Sequence, residues 1–90
     1  MLSICVPIYQ YNVCKLVKEL QSQCLAISIS FEIICIDDFS SSEIRNKNQR
    51  IKSLEKVKYI ELKENIGRSK IRNLFLNQSN YDALLFLDCD

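Results

Sequence analysis

Ninety residues, 48% hydrophobic and 26% charged, suit one globular core, a single domain or part of one. Twelve Lys+Arg against 11 Asp+Glu leave a net charge of +1. That excludes the broad basic field of a nucleic-acid binder and a polybasic membrane patch, so any ligand is held by local groups.

Leu2 to Ile8 form a short apolar run with β-branched residues, predicting a buried strand that Pro7 closes. From Asn12, the residues Val13, Leu16, Val17, Leu20 and Cys24 recur at helical spacing opposite Lys15, Lys18, Glu19 and Gln23, an amphipathic helix against a sheet. Phe31 to Ile36 is nearly all apolar and ends in Asp37-Asp38, as expected of a central strand covered on both faces. Ser40 and Glu43 have capping-box spacing and open a polar helix whose apolar positions are Ile44, Ile51 and Leu54. Val57 to Leu62 alternates partly and carries charge, which suits a strand nearer the sheet edge. A loop through Asn65-Ile66-Gly67 leads to a helix with Ile71, Leu74 and Phe75 on one face, followed by a last strand from Ala83 to Leu87. The order β-α-β-α-β-α-β predicts an α/β fold: an open parallel sheet with right-handed crossovers, in which ligands lie beyond the carboxyl ends of the strands.

The amino terminus lacks a signal peptide's charged region and apolar stretch, and no later apolar run approaches ~18 residues. The expected location is cytoplasmic, with membrane contact at the cytoplasmic face only through a segment outside these residues. Cys5, Cys14, Cys24, Cys35 and Cys89 form no C-x-x-C pair and there is no histidine, so reduced thiols serving as small core residues are expected. Cys89, between two acids, is the one expected to be partly exposed.

On this topology Tyr9, Asp37, Asp38, Asp88 and Asp90 fall on one edge of the sheet. Taken singly, a Tyr after a strand more often packs and acids before a helix more often cap it; their shared edge argues for a ligand site. Strand alternation would turn Asp88 and Asp90 the same way, with α-carbons roughly 6–7 Å apart and Cys89 opposite. Such acids suit Mg²⁺ or Mn²⁺, which take oxygen ligands from one or two carboxylates plus substrate phosphates. Without a cation, each carboxylate–phosphate pair at about 4 Å would repel by roughly 1 kcal/mol in water and about 4 kcal/mol near a protein surface. Gly67 is the only glycine, where average usage of about 7% would give roughly six. It marks a permissive backbone position before a helix whose amino terminus favours anions. Arg68 and Arg72 share a face of that helix, and one of them can reach a phosphate or a base; a solvated basic face is the plainer alternative.

Together, "SICVPIYQYN", "FEIICIDDFSSSE", "NIGRSKIRN" and "LLFLDCD" resemble, in order and spacing, the amino-terminal half of family-2 glycosyltransferases with the GT-A fold. They match its I-P-x-Y-N start, its E-I-I-V-V-D-D-G-S strand end, its N-x-G-x-x-x-A-R-N loop, which contains Gly67, and its L-D-x-D metal motif. The resemblance implies a nucleotide-sugar donor, usually a UDP-sugar, with Mn²⁺ or Mg²⁺. It implies that Pro7 shapes the first loop, Tyr9 stacks on the base, and Asp38, with Asp37 beside it, accepts a hydrogen bond from the uracil imide. Arg72 would lie near base and phosphate, Asp88 on the ribose hydroxyl, and Asp90 on the metal. Gln10 stands where Asn is usual, Phe39 where Gly is common, and Ile71 where Ala is usual. The general base and the acceptor pocket are expected downstream of residue 90, so residues 1–90 would be one donor domain, the amino-terminal part of a larger one, binding donor and metal without turnover. Inversion at the anomeric carbon is the family expectation; the acceptor, whether carbohydrate, lipid-linked or protein, is left open, and an uncovered sheet edge would invite self-association.

Two other classes compete. A receiver-like or otherwise non-catalytic α/β module would place its acid pair after the first strand, whereas here acids follow the second and fourth. A nucleotidyltransferase would carry a glycine-rich first loop, and residues 5–14 contain no Gly.

Overall fold

The computed structural model describes residues 1–88. Its elements are β1 (Leu2–Ile8), α1 (Cys14–Ala26), β2 (Phe31–Asp37), α2 (Ser42–Asn48) running into a 3₁₀ turn (Gln49–Ser53), β3 (Val57–Glu61), α3 (Arg68–Gln78) and β4 (Ala83–Phe86). The strands form one parallel sheet in the order β3-β2-β1-β4, the open α/β arrangement expected from the alternation of strand and helix.

The register explains the two-sided burial of the central strands. Ile4 pairs with Ile33 and Val6 with Cys35, and these side chains meet Val13, just before α1, Val17 and Cys24 of α1, and Ile51 of the 3₁₀ turn. The intervening residues Cys5, Ile34 and Ile36 point to the other face and pack on Ile71 and Phe75 of α3. Phe75 is fully buried and meets Phe86 edge-on, with ring centroids 5.8 Å apart; burying such a side chain is worth roughly 1.5–3 kcal/mol. Asn48 ties the first face together: its Oδ1 accepts the Val13 N–H at 2.9 Å and its Nδ2 donates to the Tyr11 carbonyl at 2.8 Å.

Pro7 does not close β1, which runs one residue further and pairs Pro7 with Ile36. Its missing N–H acts on the opposite neighbour. The Cys5 carbonyl accepts the Leu87 N–H at 3.0 Å, and the Ile8 carbonyl accepts the Asp38 N–H at 2.8 Å. Odd residues of β1 therefore direct their backbone groups towards β4, and even residues towards β2. The next bond in the β1–β4 ladder would need an N–H at position 7, and pairing stops at Cys5↔Phe86. Pairing with β2 continues to Ile8↔Asp37. Asp88 thus lies beyond the last strand rather than on it, so regular strand alternation does not orient it; Asp90 and Cys89 lie outside the described residues.

The cap of α2 also departs from expectation. Ser41, not Ser40, precedes the helix, and its Oγ accepts the Ile44 N–H at 3.4 Å. Ser40 is buried and engaged elsewhere. Cys5, Cys24 and Cys35 are buried thiols outside any disulfide and Cys14 is half-buried; burial, with the Glu32 charge adding to it, pushes the Cys5 thiol up to about 11, so it behaves as a core residue rather than a nucleophile. Among the described residues no helix is long and apolar enough to cross a membrane.

At the amino-terminal end of the sheet, Glu32 joins three segments. Partial burial alone would raise its carboxyl. Hydrogen bonds from the Ser3 hydroxyl and from the Asn80 backbone and amide, with the Lys58 charge, outweigh burial and hold it below the ordinary 4.5. A folded-state value below the unfolded one stabilises the fold above that ordinary value and is lost as pH falls through the folded value. Glu32→Gln is therefore expected to cost more stability at about pH 7 than at about pH 3. Urea unfolding of both chains at the two pH values checks this, and equal losses would contradict it.

Candidate functional site

A cavity of about 320 Å³ opens at the carboxyl ends of the strands. It lies between the ends of β1 and β4. There the connection order reverses: β2 and β3 were added on one side of β1, and β4 on the other. Such a reversal leaves a crevice because successive crossovers run on opposite faces, and open α/β sheets bind ligands there. Pro7, by ending the β1–β4 ladder early, sets one wall.

Tyr9, just past β1, lines the cavity and is 59% exposed. An aromatic ring left this open offers a face for stacking rather than a core contact. Asp38, just past β2, lines it too and is only 7% exposed. Its Oδ1 accepts the Ile66 N–H at 2.7 Å and its Oδ2 the Gly67 N–H at 3.0 Å, while its carbonyl accepts the Asn65 amide at 3.0 Å. An ionised carboxylate has about four acceptor positions, so both oxygens retain capacity for a ligand N–H. Gly67 makes this possible: at φ +82° and ψ 167° it occupies a region closed to other residues, presenting successive N–H groups to one carboxylate.

Asp37 lies elsewhere. Successive strand residues point to opposite faces, and Asp37 is fully buried with Oδ2 accepting the Ser40 N–H at 2.8 Å and Oδ1 without a hydrogen bond. The two arginines of α3 also separate. Arg68, in the first turn, lines the cavity and places Nη1 3.9 Å from Asp88 Oδ2. Arg72, one turn on, sets its guanidinium 4.5 Å from the Phe86 ring centroid. Of the expected site residues, then, Pro7, Tyr9, Asp38, Gly67 and Asp88 meet at one cavity; Asp37 and Arg72 stand outside its lining, and Arg68 and Asn65 join it. Arg68 was legible as one of a pair; which member faces the cavity follows from its place directly after Gly67.

The two residues that depart from the family pattern in these loops both adopt positive φ. Phe39 adopts φ +64° and Gln10 φ +54°, the left-handed region that Gly takes freely and Asn tolerates. The Arg45 guanidinium covers the Phe39 ring at 5.3 Å.

Among the described residues no group of three or more His, Cys, Asp or Glu side chains gathers to hold a metal ion. The side chain of Asp88 is 63% exposed at the cavity. One hard oxygen donor there fits a Mg²⁺ or Mn²⁺ ion completed by substrate phosphates, not a free-standing metal site.

Comparison with known proteins decides between the classes. Residues 3–90 match the profile of glycosyl transferase family 2. The chain belongs to that family. Poly-beta-1,6-N-acetyl-D-glucosamine synthase of Staphylococcus aureus (strain COL) is 31% identical over 81 residues, covering 89% of this chain and 20% of the synthase. The crystal structure of S. aureus TarS 1–349 superposes with a TM-score of 0.77 at 26% identity, over 99% of this chain and 27% of TarS 1–349. The same protein in complex with UDP-GlcNAc gives 0.71 at 28% identity, over 99% of this chain and 26% of that one. This family 2 chain thus spans about a fifth of the synthase and about a quarter of TarS 1–349. Its four-stranded parallel sheet with alternating helices is the amino-terminal part of the GT-A fold, as the four sequence blocks implied.

Proposed function

We propose that this chain binds the donor of a glycosyltransferase reaction, a uridine diphosphate sugar, for transfer to an acceptor hydroxyl in polysaccharide or glycoconjugate assembly. The observation that carries this reading is the convergence of Tyr9, Asp38, Arg68 and Asp88, from separate segments, on one cavity at the switch point. Solved TarS with UDP-GlcNAc, alike over nearly the whole chain, supports the donor class.

In this reading the uracil stacks on Tyr9 and its imide N–H donates to Asp38. Arg68 supplies positive charge to the diphosphate. Asp88, and Asp90 beyond it, take the ribose hydroxyl and a Mn²⁺ or Mg²⁺ shared with the phosphates. When bound, that cation neutralises negative charge on the leaving diphosphate. Asp37 and Arg72 act indirectly, the first by bracing the loop after β2, the second by packing on Phe86 shortly before Asp88. Deprotonation of the acceptor hydroxyl needs a further carboxylate, which we place downstream of residue 90. Described cysteines that form no disulfide suit a reducing compartment, and the proposed location is the cytoplasm or the cytoplasmic face of a membrane.

Calorimetry with UDP in the presence of Mn²⁺ tests the proposal. Saturable binding without sugar transfer is expected from these residues. Tyr9→Ala should weaken it about tenfold or more, since stacking on an aromatic ring is worth roughly 1–3 kcal/mol per base. Asp90→Ala should remove the Mn²⁺-dependent part. No binding by the wild-type chain would overturn the reading.

A further inference from the structure

The loops after β1 and β2 are clasped together by bonds that none of the proposed donor contacts uses. The Gln10 N–H donates to Ser40 Oγ at 2.8 Å, and in return the Ser41 N–H donates to Gln10 Oε1 at 2.8 Å. Below them the Ser40 N–H donates to the buried Asp37 Oδ2 at 2.8 Å. Each loop also holds one residue in the left-handed region, Gln10 at φ +54° and Phe39 at φ +64°. Residues with side chains stay in that region only where surrounding contacts hold them there; Ser28 and Lys56 do so away from the cavity, and at Gln10 the clasp bonds supply those contacts. Here each strained residue directly follows a cavity residue, Gln10 after Tyr9 and Phe39 after Asp38.

We propose that Gln10, Ser40 and Asp37 are positioning residues whose clasp fixes the ring of Tyr9 relative to the carboxylate of Asp38, and thereby sets recognition of the nucleobase. This rests on the donor-site reading above. A base held by stacking on one residue and by an edge hydrogen bond to another needs both at a set separation and tilt. Stacking tolerates sliding, but a hydrogen bond weakens steeply as its angle opens. A loosened clasp therefore costs the edge bond first. Uracil offers its N–H at the centre of that edge, whereas cytosine has a bare ring nitrogen there and its donor displaced to the neighbouring amino group, so only a carboxylate held at a set position relative to the ring separates the two. Arg68 and Asp88 make none of these clasp bonds, and the diphosphate end of the site does not depend on it.

The test is calorimetry on the full chain with UDP, CDP and inorganic pyrophosphate, each with Mn²⁺. Wild type is expected to prefer UDP to CDP. Gln10→Ala removes Oε1 and should weaken UDP about five- to tenfold, bring UDP and CDP close together, and leave pyrophosphate affinity unchanged. Ser40→Ala should do the same, while Ser40→Thr, which keeps the Oγ, should restore the UDP preference. If Gln10→Ala is too unstable to titrate, Gln10→Gly carries the same expectation, since it relieves the left-handed strain and still lacks Oε1. Equal losses for UDP and pyrophosphate would mark general damage and overturn the clasp, as would unchanged UDP affinity in Gln10→Gly. Failure of the wild-type chain itself to bind UDP would overturn the donor reading instead.

Discussion

Asp38→Ala is expected to abolish uridine nucleotide binding and to bring the chain close to the limit of folding. The carboxylate takes the N–H groups of Ile66 and Gly67 at 2.7 and 3.0 Å and is nearly buried. Hydrogen bonds to a charged partner contribute about 1.5–3 kcal/mol each. Losing both, with partial relaxation of the loop, should cost about 3–5 kcal/mol. Native domains are stable by roughly 5–15 kcal/mol, and a chain of this size belongs at the low end. Asp38→Asn keeps one acceptor oxygen, so about half the stability loss is expected, yet its amide group would meet a backbone N–H or the uracil imide donor to donor. Urea unfolding and UDP calorimetry on both variants check these outcomes. Native stability and native affinity in Asp38→Ala would be incompatible with the geometry described.

Gly67→Ala is expected to lower stability by about 1–3 kcal/mol. A Cβ at this position meets nothing within 4 Å, so the whole cost is torsional, from φ +82°. At roughly 4–8 °C per kcal/mol for a domain of this size, the thermal midpoint should fall by about 5–20 °C. Relaxation of the backbone would also turn the Ile66 and Gly67 N–H groups away from Asp38, and UDP affinity should fall with stability. A chemically synthesised chain with D-alanine at position 67 separates torsion from size, because the mirror-image residue accepts this φ and ψ. It should be clearly more stable than the L-alanine chain; equal instability of the two would contradict a torsional origin of the loss.

The periodicity of apolar residues made the strands and helices legible, because each face of the sheet is covered by a helix whose apolar stripe matches it. Tertiary contacts decided the remainder. Among Ser40, Ser41 and Ser42 the helix cap cannot be chosen locally, since Ser40 is engaged by Gln10, 30 residues away. Arg68 and Arg72 share a face at helical spacing, but the ring of Phe86 holds the second away from the cavity. The strand ends before Asp88 because of a proline on its neighbour, a constraint that appears only once β1 and β4 are known to pair. The division between Asp37 and Asp38 was within reach of the sequence: adjacent strand residues point to opposite faces, so only one of the pair can meet the loop before α3.

Whether Tyr9, Asp38, Arg68 and Asp88 serve one nucleotide is tested most directly by following the backbone amides of the isotopically labelled chain as UDP is added with Mg²⁺, then with Mn²⁺ as a paramagnetic replacement. The largest shifts should fall at Tyr9, Asp38 and Ile66 to Arg68, with Mn²⁺ broadening centred on Asp88 and Asp90. Shifts centred instead on the cavity at the opposite end of the sheet, lined by Phe31, Lys56 and Tyr81, or saturation that leaves Asp38 and Gly67 unmoved, would contradict the assignment.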